Sequence, residues 1–361
     1  MSRTRNRRTG SDLRAMAVIS RECAAVLDGG QGAVHCVRFT RDGAYAMTAG
    51  QDRSVMLWNP ARDDGGAAAG PEDARERPPG PRALRTPITT FAGHSHEVLG
   101  VAIAADNSRF ISCGGDKLVI AWDVATARAV RKLGGHTHRV NAVALNADAS
   151  VALSAGYDTT VRCWDLRSQM REPIQTLFDA ADSVASVVVH AHRLVTGSVD
   201  GCARIYDVRK GLLTTHTLGP PVSSVAVSRD GNCVLACTLD DRVRLLDLAT
   251  GELLASYGGA GRERPPSGAA GGAGARLRAF ECRSYKVEAA LSSDDAHVVA
   301  GSEDGGVHSW DLVSADSFGV LAGHTRAVCS VACHPDIGER GALLTGSHDG
   351  TARYWVETAG T

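Results

Sequence analysis

The chain has five tryptophans, Trp58, Trp122, Trp164, Trp310 and Trp355, and every one of them follows an aspartate by six residues. Those aspartates are Asp52, Asp116, Asp158, Asp304 and Asp349. The same offset joins Asp200 to Tyr206 and Asp240 to Leu246, so the pattern occurs seven times. Four residues before each aspartate stands a small side chain: Thr48, Ser112, Ser154, Thr196, Ala236, Ala300 and Thr345. Successive anchors lie 64, 42, 42, 40, 64 and 45 residues apart. A period of ~40–45 residues is that of one four-stranded propeller blade. The 361 residues, which by length alone would allow two domains, therefore read as one closed ring of repeats.

The residues between anchors support the same unit. In VNAVALNADASVALSAGYDTTVRCWDL (140–166) apolar residues alternate with small or polar ones in three short runs, separated by Asn-Ala-Asp and Gly-Tyr-Asp turns. A fourth run, as in AVRKLGGH and PITTFAGH, ends on Gly-His before the next repeat. One such antiparallel sheet cannot bury both of its faces, so neighbouring sheets must stack radially and the ring must close. RECAAVLDGG (21–30) holds a fourth-strand position with no blade before it, and the last anchor, Trp355, stands near the end of the sequence. The amino-terminal strand is therefore expected to complete the last blade and remove a free sheet edge.

Gly93-His94 before the first strand and Trp122-Asp123 at the end of the third resemble the signature of the WD-repeat family. The resemblance implies an all-β, seven-bladed WD-repeat β-propeller. It also implies a buried hydrogen-bonded tetrad in blades 2, 3 and 7: His94/Ser112/Asp116/Trp122, His136/Ser154/Asp158/Trp164 and His324/Thr345/Asp349/Trp355. A histidine can bridge a carboxylate and a hydroxyl while the hydroxyl receives the indole N–H, which satisfies the cluster. Three copies at one position favour this scaffold role over catalysis or metal binding. Blades 1, 4, 5 and 6 lack Gly-His and keep only partial anchors: Asp52/Trp58, Asp200/Tyr206, Asp240 and Asp304/Trp310.

Segments that the repeat does not dictate narrow the resemblance. GQGAVHCVRF, DRSVMLWNP (52–60), VRCWDLRS (161–168), EPIQTL (172–177), TGELL (250–254) and HVVAGSEDGGVHSWDLV (297–313) are similar to the mitogen-activated protein kinase organizer family. This implies a non-enzymatic scaffold for extracellular-signal-regulated kinase cascade components, in cytoplasm and also nucleus, with splicing factors as alternative partners. Trp164-Asp165-Leu166-Arg167 and Tyr206-Asp207-Val208-Arg209 resemble the Trp-Asp-x-Arg box of cullin-RING ubiquitin ligase receptors, which makes Arg167 and Arg209 candidate protein contacts.

Two anchor spacings of 64 imply insertions, and composition places them at 61–83 and 258–275, both rich in Gly, Ala and Pro. Both are expected to be disordered, to follow the third strands of blades 1 and 6, and to leave one face of the disc. Residues 1–20 read as a disordered basic arm carrying Arg3, Arg5, Arg7 and Arg8, residues 21–357 as the propeller, and 358–361 as a tail. The arm lacks the apolar core of a secretory signal, and no run approaches the ~18 apolar residues of a membrane span. A net charge of −1 argues against strong direct nucleic-acid binding.

The ten cysteines show no ligand spacing. The pairs Cys233/Cys237 and Cys329/Cys333 read as core residues on strands, and His334 beside Cys333 completes no four-ligand set. No phosphate-binding glycine loop, His-Glu-x-x-His or nucleophile elbow is present. The expectation is a protein without catalysis, cofactor, metal or small-molecule substrate, monomeric within larger complexes of proteins.

Overall fold

The computed structural model describes residues 21–61, 81–207, 210–258, 279–336 and 342–357. Among the described residues, all regular elements are strands, and they form seven antiparallel-based sheets arranged as blades. Six blades have four strands; blade 2, for example, runs Val98–Ile103, Arg109–Gly114, Leu118–Asp123 and Arg128–Gly134.

Seven apolar clusters hold the ring, and each draws side chains from two adjacent blades. Between blades 1 and 2, Phe91 meets Phe110 edge-on at 4.8 Å, and Phe110 stacks on Trp122 at 5.9 Å. Between blades 2 and 3, Ile111, Cys113 and Leu133 pack with Val140, Ala152 and Trp164. Each blade is apolar on both faces because it is buried on both, which is why the inner strands read as near-continuous runs of Val, Ala, Leu and Ile.

The seventh blade is closed by the amino-terminal strand. Arg21–Leu27 pairs antiparallel with Ala352–Glu357, with Arg21 opposite Glu357 and Leu27 opposite Ala352. The polar groups on its other edge are also used, since a short strand, Arg82–Leu84, pairs with it in parallel. Leu84 is buried beside Leu27 and Trp58.

That short strand corrects one boundary: residues 82 and 83, expected inside the first insertion, return to the sheet. The rest of that segment, apart from residues 61 and 81, lies outside the described residues, as do the arm and the tail. The second insertion is corrected in position. The outer strand of blade 5, Leu253–Tyr257, precedes it, and the first strand of blade 6, Ala289–Leu291, follows it. It therefore belongs to the connection between blades. The first insertion connects the third and outer strands within blade 1, Ser54–Trp58 and Thr89–Ala92. In antiparallel blades these two connections begin on opposite faces, so the strands Ser54–Trp58 and Leu253–Tyr257 do not lead into them from one face. Anchor spacing counts residues between repeats without saying which connection holds them.

Candidate functional site: buried tetrads, axial cavity and rim

In blades 2, 3 and 7 the structure brings all four tetrad residues together. His94 Nε2 lies 2.7 Å from Ser112 Oγ and its Nδ1 lies 2.8 Å from Asp116, while Trp122 Nε1 donates to the same Ser112 hydroxyl at 2.8 Å. His136, Asp158, Ser154 and Trp164 repeat this at 2.9, 2.7 and 2.8 Å. His324, Asp349, Thr345 and Trp355 do so at 2.9, 2.8 and 2.9 Å. The aspartates accept more than the imidazole: Asp158 also takes the Thr137 N–H and the Thr160 hydroxyl.

Burial would raise the Asp116, Asp158 and Asp349 pKa values, but donors from His94, from Thr160 and His136, and from His324 and Thr351 outweigh it and hold all three below the usual range. Burial also lowers the His136 pKa, more than Asp158 raises it, so the ring is neutral at pH 7.

The glycine before each of these histidines has a steric reason. A Cβ on Gly93 would stand 2.8 Å from the Trp122 ring, and one on Gly323 would stand 2.9 Å from Trp355. Blade 1 preserves that glycine without its histidine. Gly29 lies over Trp58, with only 2.4 Å for a Cβ, and Gly30 occupies the histidine position facing Asp52. Trp58 still donates to Thr48 at 2.9 Å, and Asp52 accepts from Ser54 at 2.8 Å.

Sequence reasoning missed how blades 4, 5 and 6 replace the histidine. A basic side chain four residues after the aspartate, on the same blade's third strand, takes its place. Arg204 binds Asp200 Oδ2 at 2.7 Å and Ser198 Oγ at 2.8 Å. Arg244 binds Asp240 and Thr238 in the same manner. In blade 6 the buried His308 faces Asp304 at 3.8 Å and stacks on Trp310. Burial opposes ionisation of Asp200 and Asp304, yet Arg204 with Ser198, and His308 with Ser302, bring both down to about 2. The pattern Asp-x-x-x-Arg or Asp-x-x-x-His two residues before the anchor also occurs in blades 3 and 7, as Asp158/Arg162 and Asp349/Arg353, so it signals the replacement only where Gly-His is missing.

Along the axis, the first strands of all seven blades line a cavity of about 640 Å³. Arg38 grips Glu288 with two hydrogen bonds, 2.8 and 2.9 Å, and Ser330 donates to the same carboxylate at 2.6 Å. Burial would raise the Glu288 pKa, but Arg38 keeps it low. A carboxylate occupied this way ties blades 6, 7 and 1 together along the channel wall; it is not poised as a general base. Cys237 and Cys329 are buried, Cys233 and Cys333 partly so, and Cys237 Sγ lies 3.7 Å from Cys282.

The outer strands differ from the interior. On blades 4 and 5 they expose Leu212, Leu213, Leu253 and Leu254, and Ile174 and Phe178, exposed on either side of the outer strand Gln175–Leu177, do the same for blade 3, with Phe178 73% exposed. Arg167 is also exposed and pairs with Asp148 of its own blade, whereas Arg209 lies outside the described residues.

The model of the WD domain, G-beta repeat, matches residues 21–59, 85–123, 127–165, 209–247, 276–311 and 316–356. The chain belongs to the WD-repeat family. Each matched segment ends on a blade's third strand, and the unmatched stretch 166–208 holds the inner strands of blade 4, where Tyr206 stands in the tryptophan position. Within that family it is 41% identical over 339 residues to WD repeat domain-containing protein 83 of Rattus norvegicus, covering 94% of this chain and 93% of the relative. The Homo sapiens protein of that name is 41% identical over 92% of this chain and 91% of its own length. The Dictyostelium discoideum homolog is 26% identical over 93% and 98%. The chain thus falls in the kinase-organizer group whose segments its sequence resembles. A WD-repeat propeller is a platform for protein docking, and among the described residues no helix is long and apolar enough to cross a membrane.

Proposed function

We propose that this WD-repeat chain is a non-enzymatic scaffold that assembles components of the extracellular-signal-regulated kinase cascade, acting in the cytoplasm and also in the nucleus. The observation that carries the scaffold reading is the exposed apolar rim of blades 3 to 5, on a ring whose buried Asp200 and channel carboxylate Glu288 are held by its own arginines. Large apolar side chains held in water on three successive blades are anchors a docking protein can cover. The choice of kinases rests on the organizer-type segments of the sequence and on the family to which the chain belongs.

Affinity purification from separate cytosolic and nuclear fractions, with partners read by mass spectrometry, tests this. Wild type is expected to recover kinase-cascade proteins. A Phe178→Asp, Leu213→Asp variant, changed only at exposed positions, is expected to lose partners while melting at the same temperature. An unchanged partner set would remove the rim from the proposal, and recovery of splicing factors without kinases would favour the spliceosomal alternative. The ubiquitin-ligase reading has one observation in its favour, the exposure of Arg167. An adaptor would have to take that guanidinium from Asp148, so unchanged adaptor recovery with Arg167→Ala ends this reading.

A further inference from the structure

Where blade 7 meets blade 1, three side chains from distant parts of the sequence converge. His35 is the second residue of the first strand of blade 1, Val34–Phe39; Cys329 is the second residue of the first strand of blade 7, Val328–Cys333; His348 lies in the turn after Leu343–Ser347. One ring nitrogen from each histidine and the Cys329 sulfur lie within 4.8 Å of one another. The two imidazoles meet edge-on at 5.5 Å, and Tyr285 braces His348 at 5.0 Å. His35 Nε2 is buried and no hydrogen bond reaches it, although the Glu97 carboxylate stands 3.4 Å away. The Cys329 thiol donates to the Val34 carbonyl at 2.8 Å, beside His35.

We infer that His35, Cys329 and His348 form a zinc site, with a water as the fourth ligand. Two imidazoles and a thiolate are a borderline-soft set that suits Zn²⁺ and disfavours Mg²⁺ or Ca²⁺. Bond lengths of ~2.0–2.3 Å place tetrahedral donors about 3.3–3.8 Å apart. Donor atoms up to 4.8 Å apart therefore have to close by up to about 1.5 Å, and His348 sits on a turn that can supply the motion. Entry is open, because His348 also lines a cavity of about 570 Å³ with Asp28, Thr325 and Arg326.

In both histidines burial favours the neutral ring that a metal needs. Burial lowers the His35 pKa against the pull of Glu97, and burial with Arg326 lowers that of His348. Burial keeps the Cys329 thiol protonated, with Glu288 adding to the effect and Lys286 opposing it. On binding, the S–H bond breaks, its proton leaves to solvent, and the sulfur electron pair forms the metal bond; no oxidant or reductant is involved. The ion would pin the first strand of blade 1 to blade 7, at the seam where the two ends of the repeat array meet.

The test uses the full chain stripped of metal. Titration with Co²⁺ is expected to give a thiolate-to-cobalt charge-transfer band at one equivalent, bleached by Zn²⁺. Competition against a chromophoric chelator is expected to show zinc affinity rising about tenfold per pH unit between roughly pH 6.5 and 8, because one proton leaves. Cys329→Ser should abolish the band, and His348→Gln should weaken zinc by at least about tenfold. Cys237→Ser, a buried thiol elsewhere, should change neither. Zinc should raise the wild-type melting temperature and leave that of His348→Gln unmoved, which keeps the question answerable if Cys329→Ser does not fold. Absence of the band, or wild-type affinity in His348→Gln, overturns the site.

Discussion

Blades 3 and 4 are neighbours that hold the same buried aspartate in different ways. In blade 3 the hydrogen-bonded basic partner of Asp158 is His136, which comes from the connection leaving blade 2, and Arg162 of the same blade stands further off at 4.0 Å. In blade 4 the partner of Asp200 is Arg204, from the same blade's third strand. The histidine tetrad therefore ties one blade to the next, whereas the arginine ties a blade to itself. What is constant is a donor for the carboxylate, since an unpaired buried charge is costly. The two partners also differ chemically: histidine can be neutral in the fold and arginine cannot.

The strongest way to probe ties between blades against ties within one is to remove the closing strand. Deleting residues 21–28 exposes the edge of Ala352–Glu357 and the cluster around Leu27 and Trp58, and is expected to abolish a soluble, cooperatively melting protein. A truncation that melts cooperatively would show that stacking alone holds the ring.

Next come the aspartates. Asp200→Ala strands the Arg204 guanidinium, whose side chain is 8% exposed, and should cost about 3 kcal/mol in chemical denaturation. Asp158→Ala leaves His136, the Thr137 N–H and the Thr160 hydroxyl without their acceptor and Arg162, 4.0 Å away, without its ion pair; it should cost about 1–3 kcal/mol, because Arg162 is twice as exposed as Arg204 and further from its carboxylate, so less charge is stranded. Equal melting of Asp158→Ala and wild type would contradict the tetrad as a stabilising unit, and a larger loss for Asp158→Ala than for Asp200→Ala would reverse the comparison.

A smaller effect separates the two kinds of blade by pH. The carboxylates of both kinds have folded pKa values below the ~3.9 of an unfolded chain, and those of Asp200 and Asp304 are about 2. Their contribution is fully present above the unfolded value and is lost as the pH falls from about 4 towards 2. His136 also has a lowered folded pKa, so the unfolded chain binds its proton first and stability begins to fall just below about pH 6.5. Thermal melts against pH should show this first decline in wild type and a shallower one in His136→Gln, with the acid limb retained. An identical decline in both would remove His136 from it.

The smallest expected effect is at the rim. Arg167→Ala breaks an exposed pair with Asp148 and should leave the melting temperature unchanged, in contrast to either buried partner. A measurable loss of stability would assign Arg167 a structural part.

Much of the molecule was legible because the repeat enforces it. The Asp-x5-Trp spacing and the Gly-His pairs fall where an indole, a hydroxyl and a carboxylate of one blade must meet an imidazole from the connection before it, and the structure brings them together. The closing strand was legible from its position before the first repeat. The placement of the second insertion was not, because the anchors Leu246 and Trp310 count residues without fixing which strand precedes the extra ones. Arg204, Arg244 and His308 escaped notice because the family signature draws its basic partner from the preceding connection.

The sequence by itself determined the number of blades, their internal strand order and the way the ring closes, since these follow from a period and from apolar faces that must be covered. Only the tertiary structure decided which side chains from different repeats become neighbours. Glycine took over the histidine position at Gly30, the strand at Arg82–Leu84 returned to the last sheet, and His35, Cys329 and His348 met at the closing seam. Closure is the reason: it brings positions 35 and 329 side by side, and their separation along the chain contains no trace of that contact.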